Sequence, residues 1–599
     1  MSLVQIADVS AALKLSKTGL FGKCIGYLAF KLLQLDKLNK VYQRSLENLD
    51  DTGFFLEALL YHFRVRYYIN PKDLKRIPDK GPVVVVANHP LGGIDGIILL
   101  HLLKHIRPDA KLMANFLLER IKPLNDQFIW VNPFDAKQST KSSVAGFRQV
   151  MRHLNDEGLF AVFPAGEVAS KLKGNIPIDP DWNPAIIRLL QGAKVPVVPI
   201  YFHARNTHLF YRLAAIHGLL RTARLPAEML HQKYKTINLR IGKPIPVKDQ
   251  ENHTALSNYG TFLRKKVYML SNTYERKNIL KRMSSPLRRR STKEQPIDPA
   301  TPTAVLEAEL KVLQAQKKSL LKSKDYELFL ARSSQIPNML HEIGRQRELA
   351  FRAVGEGTNK AVDLDHYDID YLHLFLWDHQ AKGLVGAYRL GLGKELINKQ
   401  DLSGFYLAEL FSFESETHQM LSNTIELGRA FVAKDYQQRP MPLFLLWKGI
   451  IHATLRYPNY SYLMGSVSIS NQFSNFTKSL MIEFMRSHYY DPYLAQYITP
   501  KKEFKVKLKE TDKEFVFDET SADLNKFDKL IDELEPGDFR LPVLIKKYIK
   551  QNARVVSFNV DPLFNNAIDG LMYIKVKDIP ASTVQPVMEE FQASLERKN

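Results

Sequence analysis

The chain has 599 residues, 45% hydrophobic and 25% charged, and its single cysteine, Cys24, excludes any disulfide within the chain. This length allows several domains, and the cysteine content is typical of the reducing cytosol. The formal net charge of +21 predicts an anionic partner, either nucleic acid or a surface of acidic lipid. The recognised nucleic-acid-binding motifs are missing from the sequence, so we expect the lipid surface and no nucleic acid.

The first 70 residues are predicted to be helical and to include a segment that can associate with a membrane. Residues 18–35, TGLFGKCIGYLAFKLLQL, are apolar and aromatic but interrupted by Lys23 and Lys31. They fall short of the about 20 apolar residues that span a bilayer. The segment either lies in the bilayer interface or packs as a buried helix. Because no secretory signal is recognisable, we expect a cytoplasmic protein, peripheral on the inner face of the cytoplasmic membrane.

The stretch at 83–96, VVVVANHPLGGIDG, brings two candidate catalytic residues into one turn. Four consecutive valines predict a buried strand, and an apolar helix begins after the glycine pair. His89 and Asp95 therefore lie at the carboxyl end of a strand, where open α/β sheets place their chemistry. A nearby carboxylate can orient a histidine as a general base. The alternative is an ordinary turn in which His89 is structural.

From residue 83 to about 275 the chain alternates predicted strands and helices, which is typical of an α/β domain. The motif FPAGEVAS at 163–170 repeats the arrangement of the first, because a strand again runs into a glycine-containing turn. Gly166 allows a turn whose backbone N–H groups can face an anion, and Glu167 supplies a polar side chain. Two such loops predict one shared site.

Taken in order, NHPLGGIDG, FPAGE and VPVVPIYF resemble the motifs of the glycerolphosphate and lysophospholipid acyltransferases. The resemblance implies that His89 deprotonates an acceptor hydroxyl, that Asp95 orients His89, and that the hydroxyl attacks an acyl thioester. It also implies that Asn88, Gly166 and Glu167 bind substrate, with backbone N–H groups near Gly166 holding the anion that develops.

The resemblance covers residues 65–250 and has two departures. Five residues rather than four separate His89 from Asp95, which resembles a branch of the family with an HP-x-GG form. Ala165 stands where the family usually has Glu, and Glu167 lies two positions further on. The second departure argues against a phosphate-bearing glycerol as the acceptor.

A linker is predicted over residues 281–304, because SSPLRRRSTKEQPIDPATPT is polar, holds four prolines and lacks apolar periodicity. Its Arg288–Arg290 run either contacts anionic lipid or is simply solvated. The predicted organisation is a helical segment at 1–70, an O-acyltransferase-like domain at 71–280, the linker, and a second domain at 305–599.

The second domain is predicted to begin with a helix over 305–331 and to continue into a sheet. Predicted strands are YLHLFLW, GLVGAYRL, TIELGRAFVA and YSYLMGSVSIS, with a helix at 442–456 before the last of them. This order of elements fits an α+β sheet of the N-acyltransferase type called GNAT.

Five charged residues stand out near these strands. Asp365 and Asp368 form a DxxD pair before the first strand, and Arg389 ends the second. Glu426 and Arg429 lie in the third strand, where period-2 alternation places them on opposite faces. One interpretation is catalytic, and the alternative is a structural ion-pair network.

In detail this half resembles the acyl-homoserine-lactone synthases and, more closely, their relatives among the amino-acid N-acyltransferases, a group often described as hemolysin-like. The resemblance covers most of residues 330–575, and the matching residues are Arg347, Phe351, Asp365, Asp368, Arg389, Glu426 and Arg429. It implies that Glu426 takes a proton from the attacking amine, directly or through a water, while the arginines and aspartates bind and brace the substrate side.

We expect no resident cofactor and no metal, because no Cys/His cluster has metal-ligand spacing. GNAT enzymes cradle the pyrophosphate of coenzyme A in a loop that corresponds here to KDYQQRPMP at 434–442, which has no glycine. The expected donor is therefore acyl-acyl carrier protein, an acidic partner that suits a basic chain, with acyl-coenzyme A as the alternative.

Two acyltransferase-like halves on one chain resemble the bifunctional synthases of ornithine lipids and related aminolipids. The resemblance implies that the C-terminal domain N-acylates an amino acid with a 3-hydroxyacyl group and that the N-terminal domain O-acylates the resulting lyso-aminolipid. Ornithine is the first choice of amino acid, followed by glycine and lysine. One alternative is a lysophospholipid acyltransferase whose C-terminal half only recognises carrier protein or lipid. Another is a non-catalytic membrane-binding or nucleic-acid-binding protein.

Overall fold

The computed structural model describes residues 3–6, 8, 20–47, 52–115, 119–131, 140–273, 294–509, 512–514, 516, 523–536 and 539–596. The chain folds into two compact units. The first contains Met1–Glu275 and Asp532–Phe539, and the second contains Arg276–Ile531 and Arg540–Asn599. Most of the predicted linker, including Arg288–Arg290, lies outside the described residues.

A seven-stranded sheet organises the first unit. Its strands are β1 (Arg66–Ile69), β2 (Val83–Ala87), β3 (Lys111–Asn115), β4 (Phe128–Val131), β5 (Leu159–Val162), β8 (Val197–His203) and β9 (Thr236–Ile241). They are ordered β1-β9-β8-β2-β5-β3-β4, and only the β8–β9 pair is antiparallel. A separate hairpin joins β6 (Lys171–Lys173) to β7 (Ile176–Ile178). The predicted α/β class is therefore confirmed for this half.

The helices described in the first unit precede the strands of this sheet or connect and follow them. They are α1 (Leu20–Leu32), α2 (Leu35–Leu46), α3 (Thr52–Phe63), α4 (Pro71–Leu74), α5 (Gly93–Ile106), α6 (Thr140–Asn155), α7 (Pro184–Ala193), α8 (His208–Ile216), α9 (Gly218–His231), α10 (Val247–Gln250) and α11 (Leu256–Met269).

Strand β2 lies at the centre of the sheet and determines where the first site forms. All five of its residues are buried, because β5 and β8 pair on either side of it. Such a strand needs apolar residues on both faces, which explains the run of valines. Gly92 then adopts a left-handed φ of +89°, and α5 begins at Gly93. The loop between β2 and α5 therefore lies at the carboxyl edge of the sheet.

The second unit is built on an eight-stranded sheet. Its strands are β10 (Ser319–Ser323), β11 (Tyr326–Arg332), β12 (Leu372–Asp378), β13 (Gly383–Leu392), β15 (Thr424–Val432), β16 (Tyr462–Ile469), β18 (Arg554–Asp561) and β19 (Ala567–Lys575). The order is β10-β11-β12-β13-β15-β16-β19-β18, and only the β15–β16 pair is parallel. A second, two-stranded sheet pairs β14 (Phe411–Phe413) with β17 (Ile498–Pro500).

The helices that follow the linker are α12 (Thr303–Ala315), α13 (Pro337–Ala353), α14 (Tyr367–Asp370), α15 (Gly393–Gln400), α16 (Leu407–Leu410), α17 (His418–Ser422), α18 (Pro440–Arg456), α19 (Asn475–Tyr489), α20 (Pro492–Ala495), α21 (Leu524–Leu534), α22 (Val543–Ile549) and α23 (Ala581–Glu596). Across the described ranges, none of the helices has the length and apolar character that crossing a bilayer requires.

The helix predicted over 305–331 is wrong beyond Ala315. There the chain forms the β10–β11 hairpin, which turns at Lys324 with a φ of +53°. The segment contains many good helix formers, but β11 pairs along its whole length with β12 and is buried over five of its seven residues. Long-range strand pairing therefore overrides local helix propensity.

Strands β15 and β16 separate after a short paired stretch. Thr424–Leu427 pairs with Tyr462–Gly465, and beyond that point β15 pairs only with β13 while β16 pairs only with β19. A gap therefore opens between the two strands, with unpaired backbone groups on both sides among the residues described here. We call it the β15–β16 gap.

Candidate active sites

His89, which is partly buried, and the fully buried Asp95 form a pair at the end of β2. Nδ1 of His89 lies 3.0 Å from Oδ1 of Asp95. The carboxylate is held in place because its Oδ2 accepts the backbone N–H groups of Leu91 and Gly92 at 2.8 and 3.2 Å. Burial lowers the pKa of His89, but the charge and hydrogen bond of Asp95, together with the charge of Asp179, raise it above its ordinary value. This geometry leaves Nε2 as the nitrogen that can accept a proton.

The two loops predicted to share one site are joined. The backbone N–H of Ala169 donates to the carbonyl of His89 at 2.8 Å, and the ring of Phe163 stacks on His89 with centroids 4.2 Å apart. Gly166 has the expected left-handed φ, +68°. Its N–H donates to the carbonyl of Phe163, however, so that N–H is not free to hold an anion as predicted.

The other two predicted substrate-binding residues of this half have partners within the chain. Asn88 is buried and bridges β2 to β8, because its amide accepts from and donates to the backbone of Phe202. Its role in the structure is therefore to brace the strand that carries His89. Glu167 is one-third exposed and forms an ion pair with Arg221 at 2.9 Å.

Asp179 is a site residue that the sequence analysis missed. Its Oδ1 accepts the backbone N–H of His89 at 3.1 Å, and its own N–H donates to the hydroxyl of Tyr268. Burial raises the pKa of Asp179 to about 6. The two residues lie 90 positions apart and share no motif, so only the fold reveals that Asp179 positions the catalytic loop.

Glu426 is buried at the paired end of the β15–β16 gap. The hydroxyl of Tyr371 donates to its Oε2 at 2.5 Å, and the backbone N–H of Leu407 donates to its Oε1 at 3.0 Å. Burial raises the pKa of Glu426 to about 7, although both hydrogen bonds favour the carboxylate. A carboxyl group with this pKa can accept a proton near neutral pH. Tyr371 was not predicted, because nothing in the sequence links it to β15.

Arg347 is the buried centre of an ion-pair network on α13. Its guanidinium donates to Asp363 at 2.9 Å and to both oxygens of Asp368 at 2.9 and 3.1 Å. Burial opposes ionisation of Asp368, but Arg347 and Arg389 hold its pKa well below the usual range. The loop with the DxxD pair is thereby fixed to the helix.

Arg389 and Arg429 converge on the other carboxylate of the pair. Arg389 donates to Asp365 at 2.5 Å, and Arg429 donates to the same carboxylate at 3.1 Å. Three tyrosine rings surround Arg389, with centroids 5.0–5.6 Å from its guanidinium; they belong to Tyr367, Tyr371 and Tyr406. The structure therefore brings together every charged residue predicted for this half.

The prediction that Glu426 and Arg429 lie on opposite faces is wrong. Arg389 pairs with Gly428, and the register between β13 and β15 then shifts at a bulge. Arg429 lies in this bulge with a left-handed φ of +50°. One extra residue reverses the alternation, so Arg429 reaches Asp365 on the same side as Arg389.

Comparisons with known proteins match two separate parts of the chain. Residues 27–277 match the family model described as "Acyltransferase", and residues 346–447 match the "Acetyltransferase (GNAT) domain". A glycine N(alpha)-acyltransferase of Phocaeicola vulgatus is 31% identical over 236 residues, which are 37% of this chain and 71% of that protein. A lyso-glycine lipid O-acyltransferase of the same organism is 31% identical over 248 residues, 40% of this chain and 85% of that protein.

A solved CoA-dependent acyl-homoserine lactone synthase, BjaI, overlaps 44% of this chain and 88% of its own, with 10% identity and a TM-score of 0.22, which is too low to support an inference. The family models and relatives define a bifunctional acyltransferase with one O-acyltransferase-like and one GNAT domain. The chain belongs to the family of aminolipid acyltransferases that includes these two Phocaeicola vulgatus enzymes.

Proposed function

We propose that this chain makes a diacylated aminolipid in two steps. The second unit joins a 3-hydroxyacyl group to the α-amine of an amino acid, and the first unit then esterifies the 3-hydroxyl with a second acyl group. The supporting observation is that one chain carries both a His89–Asp95 pair with a buried carboxylate and a second buried carboxyl group, Glu426, whose pKa is about 7.

Glu426 acts as the base of the first step. An amino acid carries an α-ammonium at neutral pH, which must lose a proton before it can attack. Glu426 takes that proton, directly or through a water, and the amine attacks the thioester carbonyl. An amide bond forms as the carbon–sulfur bond breaks, and the thiolate leaves with a proton. Tyr371 and the N–H of Leu407 hold the carboxylate in position.

The β15–β16 gap receives the acyl donor. Its unpaired backbone N–H and C=O groups can hydrogen-bond the amides of a phosphopantetheine arm, as an added strand would. The segment that leads into the first residues of α18, residues 434–442, contains no glycine to wrap a pyrophosphate. We therefore propose acyl carrier protein as the donor, because its acidic surface suits a chain of net charge +21.

His89 acts as the base of the second step. Nε2 takes the proton of the 3-hydroxyl while Asp95 stabilises the imidazolium that forms. The alkoxide oxygen attacks a second thioester, an ester forms, and His89 returns the proton to the departing thiolate. The relatives' names specify glycine and a lyso-glycine lipid. For this chain we propose ornithine, glycine or lysine as the amino acid.

The acceptor lipid and product require access to a membrane surface. Helix α1 exposes Tyr27, Leu28 and Leu32, whose exposed fractions are 52, 69 and 76%. An exposed apolar helix face on a basic protein supports peripheral binding to an anionic bilayer, which we place at the inner face of the cytoplasmic membrane.

Lipid mass spectrometry of a bacterial host that makes no aminolipid tests the proposal. The intact chain is expected to yield a diacylated aminolipid, His89→Ala a monoacyl amide, and Glu426→Ala neither. Glu590→Gln, a carboxylate change on α23 where Glu590 pairs with Lys448, serves as the control and should resemble the intact chain. Absence of aminolipid together with a His89-dependent rise in diacyl phospholipid would contradict the proposal.

A further inference from the structure

Three carboxyl groups lie together on the side of the second unit formed by β18, β19 and the loop after α13. Asp561 and Asp569 are 1 and 4% exposed, and Glu356 is partly buried. Their carboxylates lie close enough to influence one another electrostatically. We call them the acidic cluster. The mechanism proposed above uses none of them.

Hydrogen bonds, rather than an ion pair, hold the two aspartates of the acidic cluster in the described structure. Asp569 accepts the hydroxyl of Ser468 at 2.8 Å, and Asp561 accepts the N–H of Leu563 at 2.7 Å and the hydroxyl of Tyr406 at 3.3 Å. No ion pair involving these two carboxylates is found within the described part of the chain. Burial raises the pKa of Asp569 to about 7 and that of Glu356 to about 7, which is the usual consequence of unpaired burial.

Arg429 is linked to the acidic cluster through Tyr406, because its guanidinium lies 5.0 Å from the Tyr406 ring and the hydroxyl of that ring donates to Asp561. The side chain of Arg429 is only 10% exposed, and its Nε is buried. That nitrogen has no hydrogen-bond partner among the described residues. Nη2 of the same residue already binds Asp365. Arg429 also acts electrostatically on Asp561 and Asp569 without pairing with them. An unpaired N–H of a cationic side chain near carboxylates that form no ion pair suits a ligand that carries both an anionic and a cationic group.

Strand register places the acidic cluster on the same face of the sheet as Glu426. Glu426 pairs with Met464 on β16, and four residues later Ser468 pairs with Asp569 on β19. An even number of residues keeps the same face, and four residues span about 13 Å. A single nitrogen atom cannot contact both carboxylates over that distance.

The two carboxylate positions therefore serve two different nitrogens. The α-amine has to be close to Glu426 and must be deprotonated to attack. A nitrogen held by several carboxylates stays protonated, because nearby negative charge favours the ammonium form. The group at the acidic cluster is thus a permanent cation and not the nucleophile.

We propose that Glu356, Asp561 and Asp569 bind the side-chain ammonium of a diamino acid, while Nε of Arg429 binds its α-carboxylate. The α-amine then lies between these two anchors and faces Glu426. This inference rests on the N-acyltransferase activity proposed above, and it narrows the acceptor from three amino acids to ornithine or lysine. The acidic cluster is a specificity determinant, and it takes no part in bond formation.

The test compares ornithine with norvaline, which has the same carbon skeleton without the side-chain ammonium. The full chain is assayed with a 3-hydroxyacyl-acyl carrier protein, and kcat/KM is measured for ornithine, norvaline and glycine. The intact chain should favour ornithine over norvaline by about 10- to 100-fold, as for one charged hydrogen-bonded contact. Asp569→Asn and Glu356→Gln should each lower that ratio at least several-fold, mainly through KM for ornithine. Glu590→Gln should leave it unchanged.

The outcomes separate this inference from the function on which it rests. Equal use of ornithine and norvaline by the intact chain, or an equal loss with both in Asp569→Asn, overturns the role of the acidic cluster while N-acylation stands. Failure of the intact chain to acylate any amino acid overturns the proposed function itself. Asp569→Asn is nearly isosteric, and its residual norvaline turnover reports whether the fold and the base are intact.

Discussion

The hydroxyl of Tyr371 lies 2.5 Å from Oε2 of Glu426, and both side chains are buried. This short contact joins Tyr371, which directly follows α14, to the centre of an eight-stranded sheet. It opposes the effect of burial, which by itself would raise the pKa of Glu426 further. Tyr371 therefore tunes the base without touching the reacting atoms.

Tyr371→Phe should move the pH profile of N-acylation toward alkaline pH. Removal of a donor to the carboxylate destabilises the ionised form, so the midpoint near pH 7 should rise by about half a unit to one unit. The measurement is kcat/KM against pH for amide formation. Tyr436→Phe is the matched control, because Tyr436 donates to Asp378 away from the site. An unshifted midpoint would contradict this role for Tyr371.

Glu426→Gln should abolish N-acylation and stabilise the fold. The pKa of Glu426 is raised from 4.5 to about 7, so its favourable contribution is complete below pH 4.5 and is lost as the pH rises through 7. The variant should therefore gain stability relative to the intact chain across that window, by up to about 3 kcal/mol at pH 8. Denaturant titrations at several pH values measure the difference. A gain that does not depend on pH would refute the linkage.

For that experiment, Glu395→Gln is the matched control. Glu395 is half-exposed in an ion pair with Arg332, where a solvated carboxylate contributes little. Its substitution should change the free energy of unfolding by less than about 1 kcal/mol at every pH.

Asp95→Asn should slow O-acylation by about 10²- to 10⁴-fold and leave N-acylation intact. The amide can still hydrogen-bond, but it cannot stabilise the imidazolium of His89. The monoacyl amide should therefore accumulate, as followed by lipid extraction and mass spectrometry. The control is Asp181→Asn, an exposed residue paired with Arg264. Full diacylation by Asp95→Asn would show that His89 acts without its carboxylate.

Arg347→Ala should destabilise the second unit by about 3–5 kcal/mol, because it leaves Asp363 and Asp368 buried without their cation. Arg332→Ala, which removes an exposed ion pair, should cost less than about 1 kcal/mol. Equilibrium denaturation of the full chain distinguishes the two variants. Similar losses in both would mean that the Arg347 network contributes no more than a surface pair.

Leu28→Glu and Leu32→Glu in α1 should weaken binding to vesicles of anionic lipid. Both side chains are exposed, so the substitutions remove apolar contact and add repulsion without disturbing the core. Vesicle co-sedimentation at low and high salt measures the change. Val312→Glu, at a site on α12 whose side chain is also exposed, is the control. Unchanged co-sedimentation of the α1 variants would exclude this helix face from the membrane contact.

Local sequence patterns correctly predicted the elements whose conformation depends on residues that are close together in the chain. The valine run from Val83 to Val86 forms the expected buried strand, and the turn after it brings His89 to Asp95, which lies in the first turn of α5. Helix-forming residues after Ala315 misled the prediction, because pairing with β12 decides their conformation. Local propensity carries no information about a partner strand whose residues lie 40 to 52 positions further along the chain.

The parts of the sites that depend on distant residues could not be predicted. Asp179 reaches His89 and Tyr371 reaches Glu426 only because separate elements fold together. The bulge at Arg429 was also missed, since the residues of TIELGRAFVA were assigned to the two faces of a regular strand. A shift in strand register and a contact between distant residues both depend on the assembled sheet, so a local sequence pattern cannot predict them.

The short pairing of β15 with β16 also has a consequence for the protein without its donor. Only four residue pairs connect these strands, so backbone amides that point into the β15–β16 gap have no partner strand to shield them. These amides should exchange their hydrogens with solvent rapidly in the protein without its acyl donor. Exchange should become slow once a pantetheine arm forms hydrogen bonds with them. The donor therefore completes the sheet, and hydrogen exchange along Val467–Ile469 would record its arrival.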